Sequence, residues 1–317
     1  MKFSSNNACL LRITNILASA LLFVCLSGCS PQTIKETTLS VWRKQRGTEK
    51  KQAVPTRLEW RSRPVMPKAG LPALWSLKIL DLRTDPHNLK GVRTYDAPHG
   101  VPMHLFILSR DGSEYAHLYP DLRDYGNFLL RPVIPRAGAY QLWVDFMPID
   151  GYPTMHSQKF LVAGNEMLKP QRWAPSKASD GRLEAKMQAR EEQSFAARPD
   201  APGYVVQLQN RDWQAKQSVN VKAWVLDDNK KPVTNLQLHL GGPAYGVALS
   251  EDGEQFLRLE AQPRQKSSHE TEFSVTFPTS GLYKMWLEFR HENKIIVAPF
   301  IVQVKASKPN AKKGIGP

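Results

Sequence analysis

The chain has 317 residues, 41% of them hydrophobic and 23% charged, with a formal net charge of +14. That is enough for more than one domain, each with a real core. Its 24 Pro and 19 Gly, where ordinary usage would give about 16 and about 22, describe many extended segments and turns and exclude collagen, low-complexity disorder and a polytopic membrane protein.

From the N-terminus, Lys2 and Arg12 are the only charges before an apolar run from Ile16 to Leu26. The run has the length of a signal-peptide core and is too short to span a bilayer. It ends in Leu26-Ser27-Gly28-Cys29, which resembles the bacterial lipobox. The resemblance implies a signal peptide over 1–28, cleavage before Cys29, and lipidation of Cys29 with palmitate among its acyl chains. Ser30, standing where aspartate would favour inner-membrane retention, implies an outer-membrane lipoprotein facing the periplasm. Cys9 and Cys25 leave with the leader, so no disulfide forms within the mature chain and stability has to come from packed cores.

Residues 29–56 read as a lipidated basic tether. Between Ser30 and Gly70 ten Lys or Arg stand against Glu36, Glu49 and Glu59. Such an excess reads either as a tether attracted to anionic lipid or cell-wall polymer, at about 1 kcal/mol per charge near the surface, or as a merely solvated spacer. Nucleic acid is excluded as a partner by the compartment and by the confinement of the charge to the tether.

From residue 57 the pattern becomes strand-like, with Leu74–Leu80, Met103–Leu108, Phe128–Ile134 and Tyr140–Phe146 separated by Gly, Pro and Asp turns. Residues 57–165 form a first module. The stretch 166–202 reads as a linker, in which Pro170, Pro175, Pro199 and Pro202 surround a charged segment, 181–193, that predicts a short helix. A second strand-rich module follows over 203–305, and 306–317 reads as a disordered tail.

The two modules repeat one another. Leu108-Ser109-Arg110-Asp111-Gly112 matches Leu249-Ser250-Glu251-Asp252-Gly253, and Pro135 through Phe146 matches Pro278 through Phe289. Duplication of a domain-sized unit gives a tandem pair rather than a solenoid. Asp-Gly between apolar runs predicts a hairpin, because glycine accepts the positive φ of the turn. The Pro-x-x-Gly-x-Tyr entry to the following strand looks immunoglobulin-like. The expected fold is therefore all-β, two tandem immunoglobulin-like β-sandwiches joined by a partly helical linker.

His99, Met103-His104-Leu105, Tyr115 through Pro120, Gly126-x-Phe128 and Ala137-Gly138-x-Tyr140 resemble bacterial exported modules of the YtkA-like, heavy-metal-associated kind. The resemblance covers about residues 60–164 and 203–304 and implies a role linked to metals. A hairpin turning at Asp111-Gly112 pairs Phe106 with His117 and makes His104 and His117 diagonal neighbours on one face, about 7–8 Å apart at Cβ. With His99 just before the strand, these three are the candidate ligands for copper or zinc. The family pattern His-x-His-Pro is here His117-Leu118-Tyr119-Pro120, so one ligand has become tyrosine. In module two the matching positions are Tyr245, Arg258 and Glu260, where an Arg258–Glu260 salt bridge is expected and no ion, and His239 is expected to be uninvolved.

No nucleophile elbow, phosphate-binding glycine loop or zinc-protease helix motif occurs. The expectation is a non-enzymatic, membrane-anchored periplasmic lipoprotein whose modules bind or scaffold an unknown protein or cell-wall partner, as an accessory in metal handling. The alternatives are a dedicated copper or zinc protein using His99, His104 and His117, and a polymer binder acting through the tether.

Overall fold

The computed structural model describes residues 53–149, 151–165, 172–197, 199–263 and 269–307. The expected leader over 1–28, the expected lipidation at Cys29, almost all of the expected tether, the start of the linker and most of the tail lie outside these residues. Among the described residues there are nineteen strands and no α-helix.

Module one holds β1 (Thr56–Arg63), β2 (Leu74–Asp81), β3 (Lys90–Gly91), β4 (Tyr95–Asp96), β5 (Met103–Ser109), β6 (Tyr115–Leu118), β7 (Asp121–Leu122), β8 (Asn127–Leu130), β9 (Gly138–Pro148) and β10 (Thr154–Val162). One sheet runs β1-β2-β8-β7 with β3 beside β2, and the other β10-β9-β5-β6 with β4 beside β9. These orders are the A-B-E-D and G-F-C-C′ sheets of an immunoglobulin-like sandwich. Inward residues of both, among them Trp75, Leu77, Leu105, Phe128, Tyr140, Leu142 and Val144, make one buried core. Tyr140 donates its hydroxyl to the Arg136 carbonyl at 2.9 Å, the tyrosine corner of such folds. The matching Tyr283 bonds Thr279 at 2.7 Å.

Module two contributes β13 (Gly203–Gln209), β14 (Ser218–Asp227), β15 (Tyr245–Ser250), β16 (Phe256–Ala261), β17 (Glu270–Thr276), β18 (Gly281–His291) and β19 (Lys294–Val304). Its strands form a continuous path, β13-β14-β17-β16-β15-β18-β19. The path wraps into a sandwich because β16 pairs with β15 through Phe256–Leu259 and then with β17 through Glu260 and Ala261.

The helix expected over 181–193 is absent. Instead β11 (Ala178–Ser179) and β12 (Arg182–Gln188) extend module two's sheet, β12 pairing along its whole length with β13. The reason is local: Leu183, Ala185 and Met187 alternate with charged and polar residues and pack on module two's core, a period of two that suits an edge strand. The linker strands β11 and β12 thus belong structurally to the second sandwich, while Phe195 packs on the core of the first.

The hairpin register expected in module one holds, with Phe106 opposite His117. Its mate in module two pairs Val247 with Arg258. At both turns only the glycine takes positive φ, Gly112 at 70° and Gly253 at 76°, and each donates its N–H to a serine carbonyl three residues back.

The outer face of the β5 sheet in module one meets the corresponding β15 face of module two. Strands β5 and β15 are buried along their whole lengths. Phe106, Leu108 and Tyr115 join Tyr245, Val247, Leu249, Phe256 and Trp286 in a third apolar cluster, with Trp173 of the linker. Burying a large side chain here contributes roughly 1.5–3 kcal/mol.

Candidate functional site

Contacts across this seam exchange equivalent residues, as in an isologous dimer. Tyr115 stacks on Trp286 with ring centroids 5.0 Å apart, and its counterpart Phe256 stacks on Trp143 at 5.2 Å. Near the pseudo-axis His104 stacks on its counterpart Tyr245 at 5.4 Å. Charges follow the same rule. Asp145 of β9 pairs with Arg258 of β16 at 3.1 Å, and Glu288 of β18 pairs with His117 of β6 at 3.0 Å. The expected Arg258–Glu260 bridge is therefore replaced by a bridge to the opposite module. Residues 258 and 260 lie on one strand, whereas Asp145 faces Arg258 across the seam.

Glu288 is the hub of the sealed end. Its Oε1 accepts the Tyr115 hydroxyl at 2.7 Å, and its Oε2 lies 3.0 Å from His117 Nδ1 and 2.8 Å from His239 Nε2. An ionised carboxylate only accepts, so both imidazoles present N–H there. His117 Nε2 is then left as the acceptor for His104 Nδ1 at 2.9 Å. That chain leaves His104 Nε2 and His239 Nδ1 buried without partners. Arg190, half-buried, lies 5.5 Å from the Tyr115 ring centroid and donates to the carbonyls of Tyr115 and Phe195.

Burial pushes His117 below its ordinary pKa, with Glu288 pulling the other way. His104 is pushed down to about 2, first by burial and then by the neighbouring His117 and His99. Burial alone would raise Glu288, but the N–H groups that His117 and His239 direct at its carboxylate hold it well below the usual carboxylate value. At the other end burial raises Asp145 to about 6, against the pull of Arg258.

Beside Asp145 the seam opens into a cleft of about 430 Å³ lined by His99, His104, Asp145, Tyr245, Arg258 and Glu260, with apolar walls that include Pro98, Phe146 and Leu259. His99 is half-buried here and lowered in pKa by burial and by Arg258.

His99, His104 and His117 do come together: ring centroids are 5.6 Å apart for the first two and 5.1 Å for the last two. His156 does not join them and bonds Thr56 at 2.8 Å. Sequence reasoning missed Glu288, His239, Asp145, Tyr115 and Arg190. A signal existed for the two acids, which occupy the same position of the repeat within apolar strands. His239 sits in the irregular segment between β14 and β15, and no pattern in that segment marks it.

Both repeats fall within the model of one protein family, described as a domain of unknown function (DUF8832), over residues 78–164 and 199–306. The chain belongs to this family. No curated protein sequence matches this DUF8832 chain. Solved structures similar to it include a tandem pair of titin immunoglobulin domains (12% identity, covering 81% of this chain and 98% of that one, TM-score 0.20). Domains 4 and 5 of the S-layer protein SbsC are 10% identical, covering 81% of this chain and 100% of that one, with a TM-score of 0.20. The SGBP-B protein of the Bacteroides ovatus mixed-linkage glucan utilization locus, in complex with a mixed-linkage heptasaccharide, is 12% identical over 84% of this chain and 75% of that one, with a TM-score of 0.18. These scores are too low to carry an argument about function.

Proposed function

We propose that this DUF8832 chain is a non-enzymatic lipoprotein, anchored through Cys29 to the outer membrane on its periplasmic side, whose two modules act as one binding body. The observation that carries the reading is the cleft at the open end of the seam. Its volume of about 430 Å³ falls in the range of small-molecule sites, and it combines apolar walls with a few polar groups. The reading is non-enzymatic because the buried ionisable groups behind the cleft are engaged with one another: Asp145 with Arg258, and Glu288 with Tyr115, His117 and His239.

Native mass spectrometry of the chain extracted from its own envelope tests this. The wild type should carry a bound small molecule that Ala261→Trp, which fills the cleft, removes. A wild-type chain with no bound mass would contradict the cleft reading. The anchor is tested separately: Cys29→Ala should move the protein to the soluble fraction in high salt, since a basic tether alone is screened. Membrane retention equal to wild type would remove the anchor from the account.

A copper or zinc role for His99, His104 and His117 is the second reading, supported by the proximity of their rings.

A further inference from the structure

We infer that His117, His239 and Glu288 form a transition-metal site of the zinc class, built across the seam so that neither module holds it alone. This goes beyond the cleft reading and does not depend on it. One ligand atom from each residue lies within 4.8 Å of the others, and all three side chains are buried. Two imidazole nitrogens and a carboxylate oxygen are a donor set that zinc accepts, with bonds of roughly 2.0–2.2 Å. Tetrahedral bonds of that length place neighbouring donors roughly 3.3 Å apart. His117 Nδ1 and His239 Nε2 now stand 3.0 and 2.8 Å from Glu288 Oε2, so a few tenths of an ångström of opening would admit the ion.

Two of the three ligands are held as in a metal site, while the far nitrogen of His239 has no partner. A ligating histidine is normally oriented through its other nitrogen, and a ligating carboxylate through its other oxygen. His117 has His104 on Nε2 at 2.9 Å, and Glu288 has the Tyr115 hydroxyl on Oε1 at 2.7 Å. With the ion on Nδ1, the His117 proton sits on Nε2 and points at His104 Nδ1. The His104 proton then moves to its own Nε2, the buried nitrogen that otherwise has no partner. One carboxylate beside the Arg190 guanidinium is a poor field for calcium or magnesium, which depend on several hard oxygens. Nitrogen donors favour zinc, cobalt or copper instead.

The test is a titration of the full chain, freed of metal by chelator, with Zn²⁺ alone against a chromogenic chelator. One equivalent should bind, and excess Mg²⁺ or Ca²⁺ should not displace it. X-ray absorption of the wild-type zinc form should show two imidazoles and oxygen, a readout that needs no variant to fold. Three imidazoles would instead favour the His99, His104 and His117 set and overturn this one. His239→Gln and Glu288→Gln should each remove the equivalent, His104→Asn should weaken it about 10- to 100-fold as an orienting group, and His99→Ala should leave it unchanged. The inference falls if wild type binds no stoichiometric zinc, or if binding survives His239→Gln in a folded chain.

Discussion

The two ends of the seam are built on the same plan and differ in what they do with a buried acid. Glu288 is enclosed, accepts from Tyr115, His117 and His239, and stays ionised well below its ordinary pKa. Asp145, its counterpart in the repeat, meets Arg258 beside an open cleft and is raised to about 6. Duplication supplied two equivalent positions. Enclosure and partner number then made one a lock and left the other at a mouth.

Cutting the molecule at the seam should have the largest effect. Residues 57–165 alone would expose Phe106, Leu108, Tyr115 and Trp143 on one face, an apolar patch that a monomeric domain rarely tolerates. The isolated module should aggregate or dimerise in analytical ultracentrifugation. A stable, monodisperse module would break the comparison at its root, because both ends depend on the opposite module.

At the sealed end Glu288→Ala should destabilise the full chain by about 3–5 kcal/mol in urea titration, since it leaves a buried hydroxyl and two imidazoles unpaired. At the open end Asp145→Asn should be near neutral or stabilising at pH 7. The sign follows from the raised pKa: between about 4 and 6 the folded chain holds a proton that the unfolded chain has lost, so stability falls as pH rises through that window. Arg258 and Tyr245 are the charged or titratable groups that face Asp145 from module two. This loss is the contribution of Asp145 alone, since the depressed His104 and His117 act in the opposite sense over the same range. The difference in stability between wild type and Asp145→Asn should therefore shift by about 2–3 kcal/mol from about pH 4 to about pH 6. Glu288 works in the opposite sense. Its stabilisation is present above the unfolded carboxylate value and is lost only as pH falls through its depressed folded pKa. Unfolding free energies of wild type, Asp145→Asn and Glu288→Gln measured from about pH 2 to 7 on the metal-free chain check both.

The smallest effect concerns the linker residue that touches the seam. Trp173 donates its indole N–H to the Asp111 carbonyl at 2.8 Å and packs against Gly112. Trp173→Phe keeps a phenyl ring but loses the bond and the packing of the pyrrole half, so about 1–2 kcal/mol should go. A loss of several kcal/mol would mean that the linker, rather than the paired strands, holds the modules together.

Much of each sandwich was legible in the sequence. Alternation in 140–146, the Asp-Gly turns and the repeated Gly-x-Tyr entry led to the strands, the hairpin register and the tandem plan. The linker strand was harder to read, because its charged, Pro-flanked surroundings masked the alternation of Leu183, Ala185 and Met187. The seam was legible only in part. Phe106 and Leu108 alternate with Leu105 and Ile107, so β5 is apolar on both faces, the mark of a strand covered twice. What covers the second face cannot be read from one strand, since it depends on the pairing of two modules about 141 residues apart in the chain. That is why His99, His104 and His117 were found as neighbours while Glu288 and His239 were not: the partners lie in the other module.

Differential scanning calorimetry of the full chain tests the central claim, that two sandwiches share one structure through their seam. The account predicts a single transition, with calorimetric and van't Hoff enthalpies equal, that moves down as a whole in Glu288→Ala. Two separated transitions in wild type, only one of them shifted by Glu288→Ala, would contradict it.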